Sequence, residues 1–151
     1  PNANPDPDVA ANWRSSVLSG GSPNASDAIA VPASPSGDSD GNGIADLVDY
    51  ALGNGLGSAP ISSNVSWQTY DIDGSPQSML TMSYPLSIGA DGVTVGVDAS
   101  TDLANWQDAA ANTEVVSEVN QGDGRKIMTV RFTPPIGAGE RQFLRLRIEE
   151  N

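Results

Sequence analysis

The chain changes its hydrophobic period once along its length. From residue 65 onward apolar and polar positions alternate: Leu80, Met82 and Tyr84; Val93, Val95 and Val97; Met128, Val130 and Phe132; Leu144, Leu146 and Ile148. A period of two marks strands with one buried face. Asp73-Gly74, Pro85, Asp91-Gly92, the Gly-Asp-Gly of residues 122–124 and Pro134-Pro135 separate these runs with turn chemistry, and residues 67–72 and 113–119 add two more strands. Short strands at this spacing predict an antiparallel β-sandwich over residues 59–151. Before residue 65 the period is 3.6. Ile44, Leu47, Val48, Ala51 and Leu52 form one apolar stripe, and Gly53 stands where a C-terminal glycine cap belongs, so the pattern predicts a helix over residues 44–52.

The rest of the N-terminal part is less regular. Residues 10–18 predict a short helix, with Trp13 and Val17 four apart. Residues 20–37 read as a long Gly/Ser/Pro loop, and residues 1–9, with three prolines, as an extended tail or linker. The fold class is therefore α+β, mostly β: a tail over 1–9, a helical segment over 10–58 and a sandwich over 59–151. The helical segment has too few apolar residues for a core of its own and is expected to share that of the strands.

Composition narrows the chemistry. Nineteen Asp and Glu against seven Lys and Arg give a net charge of −12, which repels phosphate backbones and anionic lipid. Neither nucleic acid nor membrane insertion is expected. With no His and no Cys, the chain lacks thiol nucleophiles, disulfides, imidazole bases, Cys/His zinc sites and a Ser-His-Asp triad. Carboxylates, hydroxyls and carbonyls remain, the ligands of a hard cation. No particular carboxylate pair is marked for glycoside hydrolysis, and the chain reads as a non-enzyme. Its charge is also split. Residues 1–124 carry sixteen acids and one base, residues 125–151 six bases and three acids, so local balances of −15 and +3 make up the total of −12.

One motif has specific chemistry. Residues 38–49 read DSDGNGIADLVD, which aligns with a twelve-residue EF-hand-like calcium loop. Asp38, Asp40 and Asn42 take positions 1, 3 and 5, and Gly43 takes the sharp turn at 6. Ile44 offers its carbonyl at position 7, with Asp46 at 9 and Asp49 at 12. Alternate residues of so tight a loop face one centre, and these oxygens suit Ca²⁺ better than the stricter octahedron of Mg²⁺. Asp at position 12 is a shorter arm than the usual Glu, and the residues before Asp38 cannot form an entering helix. The expected site is thus a loop with only its exiting helix, structural in role. Residues 71–82 begin similarly, but Pro76 stands where Gly is needed and Met82 where the last carboxylate belongs.

Taken together, the Asn12-Trp13-Arg14 segment, DSDGNGIADLVDYALGNG, LTMSYP at 80–85, VTVGVDASTDLANW at 93–106 and FLRLRI at 143–148 resemble a known type of module. It is the C-terminal calcium-loop plus β-sandwich module of large secreted and surface proteins of the Verrucomicrobia–Planctomycetes type. The resemblance implies a terminal, non-catalytic, extracytoplasmic module and no substrate. An extracellular or cell-surface location also fits a weak calcium site.

The expected function is a calcium-stabilised structural module of a cell-surface or secreted assembly, with head-to-tail copies of itself or another surface protein as partner. Phe143, Arg145 and Arg147 alternate with the inward Leu144, Leu146 and Ile148, and so form the expected docking surface for the acidic part of another copy, as in a filament. The alternatives are a carbohydrate-binding module, with polysaccharide stacked on Trp67, Tyr70 and Trp106, and a dockerin-like docking module of a secreted enzyme. Packing within the protein is the stronger expectation for these aromatics, Trp106 above all.

Overall fold

In the computed structural model the described residues are 8, 16–17, 20–21, 25–54, 63–133 and 141–151. Most of the tail over 1–9 and of the helix expected over 10–18 lies outside them. The described chain is mostly antiparallel β with one α-helix. In order the elements are α1 (Asp46–Leu52), β1 (Asn64–Ile72), β2 (Ser75–Ser87), β3 (Val93–Ser100), β4 (Gln107–Asp108), β5 (Thr113–Asn120), β6 (Arg125–Phe132) and β7 (Phe143–Glu150). A single 3-10 turn at Ala110–Asn112 joins β4 to β5.

The strands form a four-stranded sheet, β1-β2-β6-β5, and a three-stranded sheet, β4-β3-β7. Asp73-Gly74 closes the β1–β2 hairpin with both residues at positive φ (53° and 78°) and Ile72 opposite Ser75, the two-residue turn that matches strand twist. Residues from both sheets meet in one apolar cluster. Leu80, Met82 and Tyr84 of β2 and Val130 and Phe132 of β6 join Val97 of β3 and Ala109, with Leu144 and Leu146 of β7 packed against them. These are the alternating positions of the sequence.

β2 departs from simple alternation because it is covered on both sides. Met79, Thr81 and Pro85 point away from the cluster yet are buried as deeply as Leu80 and Met82. Tyr70 closes over Thr81, their hydroxyl oxygens 3.0 Å apart, and α1 packs against the same strand. Pro85 breaks no run: β1 ends at Asn64, opposite Ser83, so Pro85 borders only β6, across from Ile127. β5 departs in another way. A bulge at Val116 shifts its register against β6, and on this edge strand Val115, Val116 and Val119 are exposed.

Trp67 is not in the core. It pairs with Leu80 and so shares the cluster's face of the sheet, but β1 is an edge strand and the second sheet is narrower, its β4 only two residues long. The indole is left 56% exposed. Urea unfolding distinguishes the two environments. Leu80→Ala is expected to cost about 2–5 kcal/mol, and Trp67→Ala no more than about 1 kcal/mol. Equal losses would contradict the exposed edge.

Candidate functional site

The loop before α1 is built by side chains that hold its own backbone. Asp38 accepts from Asn42 N at 3.0 Å and from Gly43 N at 2.9 Å, and Gly43 takes φ +85°, which a side chain would strain. Asn42 sits in the middle. Its Oδ1 accepts from Ile44 N at 2.7 Å, while its Nδ2 donates to Asp40 Oδ2 at 3.1 Å and to Asp49 Oδ2 at 3.0 Å. Asp49 accepts a second amide from Asn54 at 2.9 Å and is 3% exposed.

The helix begins at Asp46, two residues later than its apolar stripe. Ala45 is extended (ψ 141°), and the first helical N–H groups go to the loop: Asp46 N to Gly37 O at 2.7 Å and Leu47 N to Pro35 O at 3.0 Å. At the other end Gly53 is the left-handed cap, φ +71°, and Asn54 N returns to Asp49 O.

Of the six expected ligands, Asp40, Asn42 and Asp49 are joined directly through the Asn42 amide, and Asp38 holds the backbone beside them. Asp46 turns instead to Ser39, accepting from its N at 2.8 Å and its Oγ at 2.6 Å. Among the described residues no three carboxylates converge closely enough to grip one ion. The donor set is nonetheless that of a hard cation. The Asn42 NH2 bridges two carboxylates, the role a cation fills, and turning that amide over would add Oδ1 to their oxygens. Ser39 and Asn54 were not singled out from the sequence. Only Asn54-Gly55 behind the helix cap carries a turn signal.

Five of the described bases are committed elsewhere. Arg125 pairs with Asp123, Lys126 with Glu118 at 3.0 Å and Arg131 with Glu114 at 2.6 Å. The Arg125 pairing, with its hydrogen bond first and charge attraction after it, holds the Asp123 carboxyl below its usual range. Asp98, 4% exposed on the face of β3 away from the core, takes both remaining strand arginines. Arg145 reaches its Oδ2 at 3.0 Å and Arg147 its Oδ1 at 2.9 Å. Arg147 also holds Asp108 at 2.7 Å and pairs with Glu149. Among the described residues Arg141 alone of the bases has no carboxylate partner, and no base pairs with Asp38, Asp46 or Asp49.

Arg145 and Arg147 thus point away from the core, as the alternation predicts, but Asp98 engages them within the chain. Phe143 beside them is half-buried. Trp106 is half-buried on this outer side rather than in the core. The Arg145 guanidinium covers its ring at 4.4 Å, and its indole N–H donates to Leu103 O at 3.1 Å. Tyr70 lies under Arg131, on the opposite face of β1 from Trp67. The three aromatics do not form one stacking platform.

Among the described residues no helix is long and apolar enough to cross a membrane. The chain matches no family model, no curated protein and no solved structure.

Removing the Asp98 carboxylate strips Arg145 of its acidic partner. Asp98→Ala is expected to lose about 1.5–3 kcal/mol, the range for hydrogen bonds to charged groups. A cycle with Arg145→Ala, read by urea unfolding, should give a coupling of about 0.5 kcal/mol or more. Additive losses would mean that the pair contributes nothing.

Proposed function

We propose that the chain is a non-catalytic, calcium-stabilised structural module of a secreted or cell-surface assembly. Its two sheets act as a β-sandwich, and residues 38–49 as an EF-hand-like loop. One observation carries the reading: Asp46 and Asp49 are buried, and they and Asp38 are met by neutral donors only, while every described base except Arg141 is spent on another carboxylate. Buried carboxylates held only by neutral dipoles call for a counter-charge.

Asp38, Asp40, Asn42, the Ile44 carbonyl, Asp46 and Asp49 would hold Ca²⁺ through their oxygens, and the ion would supply two positive charges there. The chain's own residues transmit the effect. Asp49 lies within α1, and α1 packs on β2. The Tyr50 hydroxyl donates to Ile29 O at 2.9 Å and accepts from Gly92 N at 3.1 Å, tying the preceding loop to the start of β3.

Calcium is expected to raise the melting temperature and chelator to lower it, with an affinity on the order of 10⁻⁴ to 10⁻³ M. Asp38→Ala should remove most of the calcium response. Identical melting curves with and without calcium would reject the site.

The proposed partner is a second copy or another surface protein that meets the acidic loop with a base. Because Asp98 holds Arg145 and Arg147, reversing their charge would damage the fold as well as any interface. Arg141→Glu is the cleaner variant. Sedimentation in calcium should show association of the native chain and less of it in this variant. Monomers throughout would reject assembly.

A further inference from the structure

A second feature of the molecule lies away from the loop. Where β3, β4 and the 3-10 turn meet, a cleft of about 200 Å³ opens between Thr101, Asn105, Gln107, Asn112 and Gln142 over the ring of Phe132. We propose that this cleft binds a single neutral sugar ring, as at the end or branch of a surface glycan. It shares no residue with the calcium loop, and the two readings stand or fall separately.

The lining chemistry selects the ligand. Four carboxamides face the cleft, each with two N–H donors and a carbonyl acceptor. Among the described residues the side chains of Gln107, Asn112 and Gln142 bond to no other group of the chain. Neighbouring hydroxyls of a sugar are donors and acceptors at once, and such amides satisfy them pairwise. Phe132, buried under the cleft with Ala109 and beside the half-buried Ala99, offers an apolar floor to the C–H face of a ring.

Charge excludes ionic ligands. Among the described residues no base lines the cleft, and the one acid there, Asp108, is engaged by Arg147 at 2.7 Å and by Ala110 N at 2.8 Å. An anion finds no counter-charge there, and a cation finds a carboxylate already occupied. The volume lies below the ~300–1,000 Å³ of sites for drug-sized ligands, which limits the occupant to about one ring.

The rim is set before any ligand arrives. Asp102 accepts from Ala104 N and Asn105 N at 2.9 and 2.8 Å and from Asn105 Nδ2 at 2.7 Å, which leaves the Asn105 carbonyl for a ligand. These bonds, the backbone N–H of Asn105 foremost, hold the Asp102 carboxyl well below its usual range. Leu103 takes φ +64° to close the turn. On the other wall Ala109 N bonds Val97 O at 2.9 Å, and Thr133 N bonds Asn112 O at 2.8 Å. The backbone of the rim and Asn105 are thus fixed in advance, and what binding has to order is the side chains of Gln107, Asn112 and Gln142.

The test is an NMR titration of the ¹⁵N-labelled intact chain with the methyl glycosides of glucose, galactose, mannose and N-acetylglucosamine, with N-acetylglycinamide as control. At least one glycoside should shift the side-chain amides of Gln107, Asn112 and Gln142 saturably, with Kd on the order of 1 mM. The control should not. Asn112→Ala/Gln142→Ala should weaken binding about tenfold or more, a loss of about 1.4 kcal/mol, with the remaining spectrum unchanged. Should the double variant unfold, Gln107→Ala at an exposed position carries the same expectation. No saturable shift with any glycoside, equal shifts with the control, or unchanged binding in the folded variants would overturn the assignment.

Discussion

Nineteen carboxylates share seven cationic side chains, and the way those few are distributed organises the molecule. Three of them stitch the β5–β6 hairpin together: Arg131 to Glu114, Lys126 to Glu118 and, at the turn, Arg125 to Asp123. Such exposed pairs contribute little individually. Arg145 and Arg147 differ, because Asp98 between them is buried and would cost several kcal/mol if left alone. Once these commitments are made, the loop before α1 has no described base to meet Asp38, Asp46 and Asp49. The amides of Asn42 and Asn54 and the Ser39 hydroxyl take their place. Neutral dipoles are weaker partners than charges. Among the described residues, the loop is thus where two buried carboxylates, Asp46 and Asp49, are met by neutral donors alone.

The loop is also mechanically continuous with the sheets. α1 rests on β2, and β2 is the strand to which both β1 and β6 pair and whose two faces are buried over residues 79–82. Tyr50 bridges backbone groups on either side of it, Ile29 before the loop and Gly92 before β3. A loss of order at Asp49 reaches the four-stranded sheet through one short helix. The cleft at Asn105 and Asn112 stands on the other sheet's β3–β4 end, with Asp102 holding its rim. The two proposed sites thus occupy separate parts of one framework, one lined by carboxylates and one by carboxamides.

Much of the framework was legible in residue order. Leu80, Met82 and Tyr84 alternate, and so do Met128, Val130 and Phe132, because a strand turns successive side chains to opposite faces. Asp73-Gly74 and Gly53 mark their turn and cap because only certain residues tolerate positive φ. The helix start was misplaced by two residues. Ile44 belongs to the apolar stripe, but the helix N–H groups are capped by the carbonyls of Pro35 and Gly37, and no local pattern announces that contact. The six loop residues were visible as a spacing, whereas the turning of Asp46 toward Ser39 was not.

Sequence by itself determined what depends on near neighbours: strand period, turn sites, the acidic loop and the absence of imidazole and thiol chemistry. Tertiary structure decided what depends on partners far along the chain. Asp98 meets Arg145 and Arg147 across forty-seven and forty-nine residues, and that joins two outward-facing arginines into an internal ion cluster. Trp67 and Trp106 are equally apolar in the sequence. One stands at an uncovered edge and the other lies under Arg145, because sheet width and register place them there. The cleft likewise gathers Asn105, Asn112 and Gln142 from three segments. Burial, pairing and concavity arise only when such distant segments meet, and no local pattern of residues encodes that meeting.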